Sequence, residues 1–202
     1  MQRLEFTLVF IVGAMAVALM GLGIEEASAN SPKPVKVRIE TNQGDIDVDI
    51  DTVHAPKTAA NFLRYVDGHY YEGGRFHRTV TMNNQPDKKI KIEVIQAGPK
   101  PGKKELLPIK LERTNKTGLH HTDGTISMAR DSADTATADF FICIGDQPAL
   151  DFGGKRNPDG QGFAAFGHVT KGMDVVRKIQ KSSAKEQTLT PPVEIKKIYR
   201  LP

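Results

Sequence analysis

The sequence predicts a mainly β domain, an antiparallel barrel or sandwich with helices packed on it. Three features lead there. Short stretches of alternating apolar and polar residues are divided by turn residues, two further stretches show helical spacing, and no strand–helix–strand rhythm of a parallel sheet is present. The 202 residues suit one domain with a sizeable core, and no internal repeat is visible.

Before the domain stands a segment of another kind. Phe6 to Ile24 is an uncharged apolar run, preceded by Arg3 and followed by Ala27-Ser28-Ala29. A basic start, an apolar stretch and a small-x-small site together describe a secretory signal peptide over residues 1–29, cleaved after Ala29. The protein is then periplasmic or secreted. Glu5 beside Arg3 and the length of the run leave an uncleaved membrane anchor as the alternative. Residues 1–29 hold one base and three acids, so their removal takes the net charge from +4 to +6. The lone cysteine, Cys143, excludes an intrachain disulfide, and its place in Phe140-Phe141-Ile142-Cys143-Ile144 marks it as core.

Residues 30–34 form a polar, proline-bearing linker, and the domain proper runs from 35 to 202. Val35, Val37 and Ile39 alternate with charged neighbours, a turn follows at Thr41-Asn42-Gln43-Gly44, and Ile46, Val48 and Ile50 resume the alternation. This is a β-hairpin. Pro56 then stands where a helix can begin, because its missing N–H is not needed in the first turn. Ala59, Phe62, Leu63 and Val66 form one apolar stripe of that helix, and Asp67-Gly68 ends it. Strands are predicted at 75–80, 90–96, 125–129, 140–144 and 163–169. A second helix follows Gly172 with Met173, Val176 and Ile179 inward, and Val193, Ile195 and Ile198 mark a last strand.

Several kinds of chemistry find no support. The basic residues are spread along the chain with only short doublets such as Lys88-Lys89, so no nucleic-acid-binding face is indicated. Neither Cys-x-x-Cys nor His-Glu-x-x-His occurs, and His120 and His121 would point to opposite faces if they lay on a strand, so no metal site is expected. The serines lack a nucleophile elbow. Residues 157–162 are rich in oxygen ligands and glycine but lack the spacing of a calcium loop, and are expected to form a surface turn.

What remains is Arg75-Phe76-His77-Arg78 on a predicted strand, with Gln96 and Phe140-Phe141 downstream. Phe76-His77-Arg78 resembles the Phe-His-Arg signature of the cyclophilins. Gly124 to Arg130 resembles that family's Gly-x-x-x-Met-Ala segment, and Phe140-Phe141-Ile142 its Phe-Phe-Ile strand. Phe166-Gly167-His168-Val169 with Gly172-Met173-Asp174-Val175-Val176 is similar to its closing strand and helix. Asn42 to Ile46 and Ala55 to Phe62 cover its opening. The resemblance implies a closed eight-stranded antiparallel barrel capped by two helices. It also implies peptidyl-prolyl cis/trans isomerisation without a cofactor, acting on proline-containing segments of unfolded or partly folded proteins. Nothing in the sequence suggests more than a monomer.

The resemblance gives Arg78 the catalytic role. An X–Pro bond has a rotational barrier near ~20 kcal/mol, and no bond need be broken to cross it. A guanidinium that donates to the proline nitrogen favours the twisted amide over both planar forms. By position Gln96 orients Arg78 or holds a substrate carbonyl. Phe141 floors the proline pocket with Leu150 and Phe163 on its rim, and Ala129 and Arg130 lie along the groove for the preceding backbone.

Some positions depart from the family pattern. Thr79 to Lys91 contains extra residues, and counting back from Gln96 places the apolar pocket pair on Glu93 and Val94. Asp139 stands where glutamine commonly precedes Phe-Phe, Ala149 where an aromatic often stands, and Phe163 where histidine often stands. The loss of that aromatic implies weak binding of cyclosporin-class inhibitors. A glutamate in the proline pocket would favour an alternative, a peptide-binding module with little isomerase activity.

Overall fold

The computed structural model describes residues 33–202. The signal-peptide or anchor reading of residues 1–29 lies outside them, as does most of the linker. The opening hairpin is β1 (Val35–Thr41) and β2 (Gly44–Ile50), antiparallel and in register from Val35 opposite Ile50 to Thr41 opposite Gly44. Gly44 is required at the turn. Its φ is +137°, and a Cβ there would come within 2.8 Å of Val175 Cγ2.

The remaining elements are α1 (Pro56–Asp67), β3 (Gly74–Val80), β4 (Val94–Gly98), α2 (Thr114–Thr117), β5 (Thr125–Met128) and β6 (Phe140–Cys143). A short 3₁₀ turn at Pro148–Leu150 leads to β7 (Ala164–Lys171), α3 (Met173–Gln180), β8 (Ala184–Lys185) and β9 (Thr188–Arg200). The sheet order is β1-β2-β7-β5-β6-β4-β3-β9, and β1 pairs again with β9, from Val37 opposite Arg200 to Thr41 opposite Ile195. Eight strands therefore close into a barrel without free edges. β8 adds only a two-residue arm folded onto the start of β9. The closed eight-stranded barrel is the architecture that the resemblance implied, where the pattern alone left barrel and sandwich open.

Alternation decides what fills the interior. In β6 Phe140 points into the barrel and its neighbour Phe141 points out, because successive side chains of a strand face opposite ways. The stripe predicted for α1 is buried as expected, with Phe62 at its centre. Phe62 meets the rings of Tyr71, Phe140 and Phe166 at centroid distances of 5.5, 5.5 and 5.1 Å. Val176 and Ile179 of α3 join the same core. The start of α1 lacks a capping side chain of its own. Glu112, from the irregular segment after β4, accepts from the Thr58 N–H at 2.7 Å, the Thr58 hydroxyl at 2.7 Å and the Lys57 N–H at 3.2 Å.

The elements differ from expectation in a few places. The strand read at 90–96 begins only at Val94, because residues 88–93 belong to an irregular loop. The last strand starts earlier than Val193. Pro191 and Pro192 lack the N–H of a paired strand, and the register accommodates them. Phe76 pairs with Val193 and Arg78 with Thr188, so residues 189–192 bulge away from β3. The single turns α2 and Pro148–Leu150 are too short to carry a periodic signal.

Replacement of Phe62 by alanine should remove the hub of the aromatic cluster and cost about 3–5 kcal/mol of stability. Urea unfolding checks this as a lower midpoint at unchanged slope.

Candidate active site

Arg78 would face the barrel interior if β3 were regular, since Phe76, two residues earlier, is fully buried there. It does not, because the pairing of β3 with β4 slips by one residue. Phe76 lies opposite Ala97, but Arg78 lies opposite Gln96, leaving His77 as the extra residue of a β-bulge. The slip turns Arg78 outward beside Gln96. Gln96 in turn lies opposite Phe141 on β6. Arg78, Gln96 and Phe141 thus form one cross-strand row on the outer face of three adjacent strands.

Around this row is a groove of about 560 Å³. All eight residues expected at the site line it: Arg78, Val94, Gln96, Ala129, Arg130, Phe141, Leu150 and Phe163. Ile92, Asp139 and Arg156 line it as well, and the sequence reading did not place them there. A second cavity, of about 550 Å³ between Asp49, His54, Leu119, His120 and His168, shares none of these residues.

The Arg78 guanidinium is held by amides. Its Nη1 donates to Gln96 Oε1 at 3.0 Å, and its Nε and Nη2 donate to Gln187 Oε1 at 2.9 and 2.6 Å. Among the described residues no carboxylate lies within ion-pair distance of it, so the charge is oriented but not neutralised. Burial lowers the Arg78 pKa from its ordinary value, yet an arginine stays protonated at neutral pH. Gln96 donates from Nε2 to Asp139 Oδ2 at 3.0 Å. A carboxylate can only accept, so Asp139 fixes which end of the Gln96 amide faces Arg78. Burial pushes the Asp139 carboxyl up, against the hydrogen bond from Gln96 and the nearby His77 ring. Asp139 fits because Gly98 lies opposite, where a Cβ would collide with the carboxylate.

The floor is apolar. Val80, Ile92, Val94, Phe141, Cys143 and Leu150 form a small core separate from that of the barrel, with Ala129 and Phe163 packed against it. Cys143 is buried, and burial pushes its thiol far above the ordinary value, in keeping with the core role expected of it. Phe163 meets Phe141 edge-on at 5.3 Å, and the His121 ring stacks behind Phe141 at 5.9 Å. Arg130 lines the groove, but its guanidinium is committed elsewhere. It forks onto Asp159 at 2.8 and 3.0 Å, donates to the Gly162 carbonyl at 2.8 Å and covers the Phe163 ring at 5.0 Å. Its part is to anchor the rim and the 157–162 turn.

His120 and His121 behave differently from their expected opposed orientation. They lie in an irregular segment, and both rings turn to Asp151, at 2.9 and 2.6 Å. The other nitrogen of His121 faces Ser127 Oγ at 2.9 Å. Asp151, His121 and Ser127 have the connectivity of a hydrolase triad. Ser127 is 0% exposed, however, so no substrate carbonyl can reach its oxygen, and the chain serves to brace Phe141.

The expected intrusion of Glu93 into the pocket does not occur. Glu93 accepts a hydrogen bond from Gln180 Nε2 of α3 at 3.1 Å, on the face opposite Val94. Ile92 takes the inward place instead. Buried Gln85 pins it there, donating to the carbonyls of Thr81 and Ile92 at 2.7 and 2.8 Å and accepting from the Ile92 N–H at 3.3 Å. The apolar pair is Ile92 and Val94, spaced by two as alternation requires. A count back from Gln96 with contiguous residues misses this.

Comparison with known proteins agrees with the geometry. Residues 36–200 match the family model described as cyclophilin type peptidyl-prolyl cis-trans isomerase/CLD. The chain is 39% identical over 131 residues to a peptidyl-prolyl cis-trans isomerase of Streptomyces antibioticus, covering 62% of this chain and 71% of that protein. It is 40% identical over 131 residues to peptidyl-prolyl cis-trans isomerase B of Escherichia coli K12, covering 62% and 72%. A cyclophilin-type isomerase of Cryptosporidium parvum, crystallised in the presence of the dipeptide Ala-Pro, has the same fold. The TM-score is 0.67 over 83% of this chain and 99% of that one, at 23% identity. The chain belongs to the cyclophilin-type peptidyl-prolyl cis/trans isomerase family.

The brace behind Phe141 has a pH signature. Burial alone would raise the Asp151 carboxyl, but hydrogen bonds from the two histidine rings and the His121 N–H outweigh it and hold it below its ordinary 3.8. A depressed carboxyl stabilises the fold above its unfolded value, and that stability is lost as pH falls through the folded value. Asp151→Asn should therefore flatten the acid limb of stability below 3.8 and cost about 1–3 kcal/mol at neutral pH. Urea midpoints over a pH series measure both.

Proposed function

We propose that this peptidyl-prolyl cis/trans isomerase turns over X–Pro bonds in the groove of Arg78, with exported proteins as its substrates. The observation that carries the reading is the cross-strand row. A charged donor, Arg78, stands beside an amide, Gln96, directly above an apolar floor at Phe141. The proline ring sits on Phe141, between Leu150, Phe163, Ile92 and Val94. The substrate backbone before it runs past Ala129, and Gln96 is in reach of its carbonyl.

In the planar amide the nitrogen lone pair is delocalised and a poor acceptor. As the bond twists, the lone pair localises on nitrogen, and a guanidinium N–H aimed there binds the twisted form more strongly than either planar one. The low-dielectric floor strengthens that bond, and no group needs to reorganise when the twist occurs. Chemistry of this kind uses no covalent intermediate and no cofactor.

The position of Glu93 removes the ground for the alternative of a binding module without turnover. Export is supported by the leader-like residues 1–29, and the mature protein acts as a monomer in the periplasm or outside the cell. N-terminal sequencing of the exported protein should begin at Asn30. A chain that keeps Met1 and sediments with membranes would identify the anchor instead.

Arg78→Ala should lower kcat/KM on an Ala-Pro peptide by about 100-fold or more, the scale of losing one aimed donor in a dry site. Protease-coupled or NMR exchange assays read this directly. Equal rates for wild type and variant would overturn the catalytic reading.

A further inference from the structure

The guanidinium of Arg78 has five N–H bonds. Three of them are engaged by two glutamine oxygens: Nη1 by Gln96, and Nε with Nη2 by Gln187. Two remain, one on each terminal nitrogen. The edge of the guanidinium that meets substrate is thus set by what binds the other edges. Gln96 takes only one of the three. Gln187 takes two on a single oxygen, across 109 residues of sequence.

Gln187 is itself held on every side. Its Nε2 donates to the Asn84 carbonyl at 3.0 Å, so the amide cannot flip without losing both the Arg78 bonds and this one. Its own carbonyl accepts from the Thr79 N–H at 2.9 Å, tying the turn between β8 and β9 to the residue after Arg78. Asn84 spends its whole side chain on the same junction. Its Nδ2 donates to Thr79 O and Glu186 O, both at 3.0 Å, and its Oδ1 accepts from the Thr81 N–H at 2.8 Å. Residues 81–92, which hold most of the extra residues between Arg78 and Gln96, therefore staple the end of β3 to the turn that carries Gln187.

We infer that Gln187 is a positioning residue for the isomerase reaction, fixing the plane of the Arg78 guanidinium, and that Asn84 in the 81–92 segment locks Gln187 in place. An uncharged amide is suited to this. A carboxylate at the same place would orient the guanidinium equally well but would neutralise the charge that the twisted amide is to feel. The inference rests on the catalytic reading of Arg78, and the experiment separates the two.

The test is a double-mutant cycle on an Ala-Pro peptide, with kcat and KM measured separately and folding checked by thermal unfolding. Gln187→Ala should lower kcat about tenfold or more, since misplacing a catalytic group by about an ångström has costs of that order. KM should stay within about twofold, because the apolar floor is untouched. In the Arg78→Ala background the same substitution should have no further effect on kcat. Asn84→Ala should lower kcat in the same direction by a smaller factor. If Gln187→Ala fails to fold, Gln187→Leu keeps the packing volume and answers the same question. Equal losses in both backgrounds would assign Gln187 a merely structural role and overturn the inference. So would an unchanged kcat for Gln187→Ala while Arg78→Ala is impaired, and in that case the catalytic reading would stand. An Arg78→Ala variant as fast as wild type would overturn both.

Discussion

One additional residue in β3, His77, breaks the two-residue alternation between Phe76 and Arg78, and so lets a single strand feed both the barrel interior and the groove. Without the slip an arginine would point into a core that contains Phe76, Phe140 and Ile95, where an unpaired charge is not tolerated. With it, Arg78 comes level with Gln96 and Phe141, and the same backbone hydrogen bonds that close the barrel set the spacing of the row. The site is built on three neighbouring strands and inherits their rigidity. The barrel cannot be loosened at this level without moving the guanidinium.

The polar parts of the groove follow from satisfying a partly buried cation without cancelling it. Glutamine oxygens do this, and each amide then needs its other end tied. Gln96 is tied to Asp139 and Gln187 to the Asn84 carbonyl. The outcome is one hydrogen-bonded chain from Asn84 to Asp139 with Arg78 at its centre, in which each member has a defined polarity. Beneath it the apolar floor is a small core of its own, braced from behind by His121 and Asp151. Burial works on both layers. It strengthens the hydrogen bonds of the first and supplies the surface on which a proline ring can rest in the second.

Arg130 shows how a residue can line a groove without offering its charge to it. The fork onto Asp159 and the Gly162 carbonyl engage four of its five N–H groups, its face covers the Phe163 ring, and the side chain is 1% exposed. What it contributes is the fixed position of Phe163 and of the loop behind it.

Much of this was legible in the residues themselves. The opening hairpin, the apolar stripe of α1 and the buried Cys143 follow from alternation, helical spacing and the apolar run around the cysteine, which act over a few residues and leave their mark in order along the chain. The groove was named by the resemblance: Arg78, Gln96 and Phe141 stand where the family's motifs place its site, whereas alternation by itself gave them no role. Closure of the barrel, the bulge at His77 and the partners of Arg78 were decided only in three dimensions. Gln187 is 109 residues from Arg78, in a two-strand turn with no periodic signal, and reaches it only because β9 returns beside β3. The exchange of Glu93 for Ile92 depends on a loop whose path is set by Gln85, and no count along the chain could give it. Local pattern fixes which face a residue prefers, but which faces meet is a property of the closed sheet.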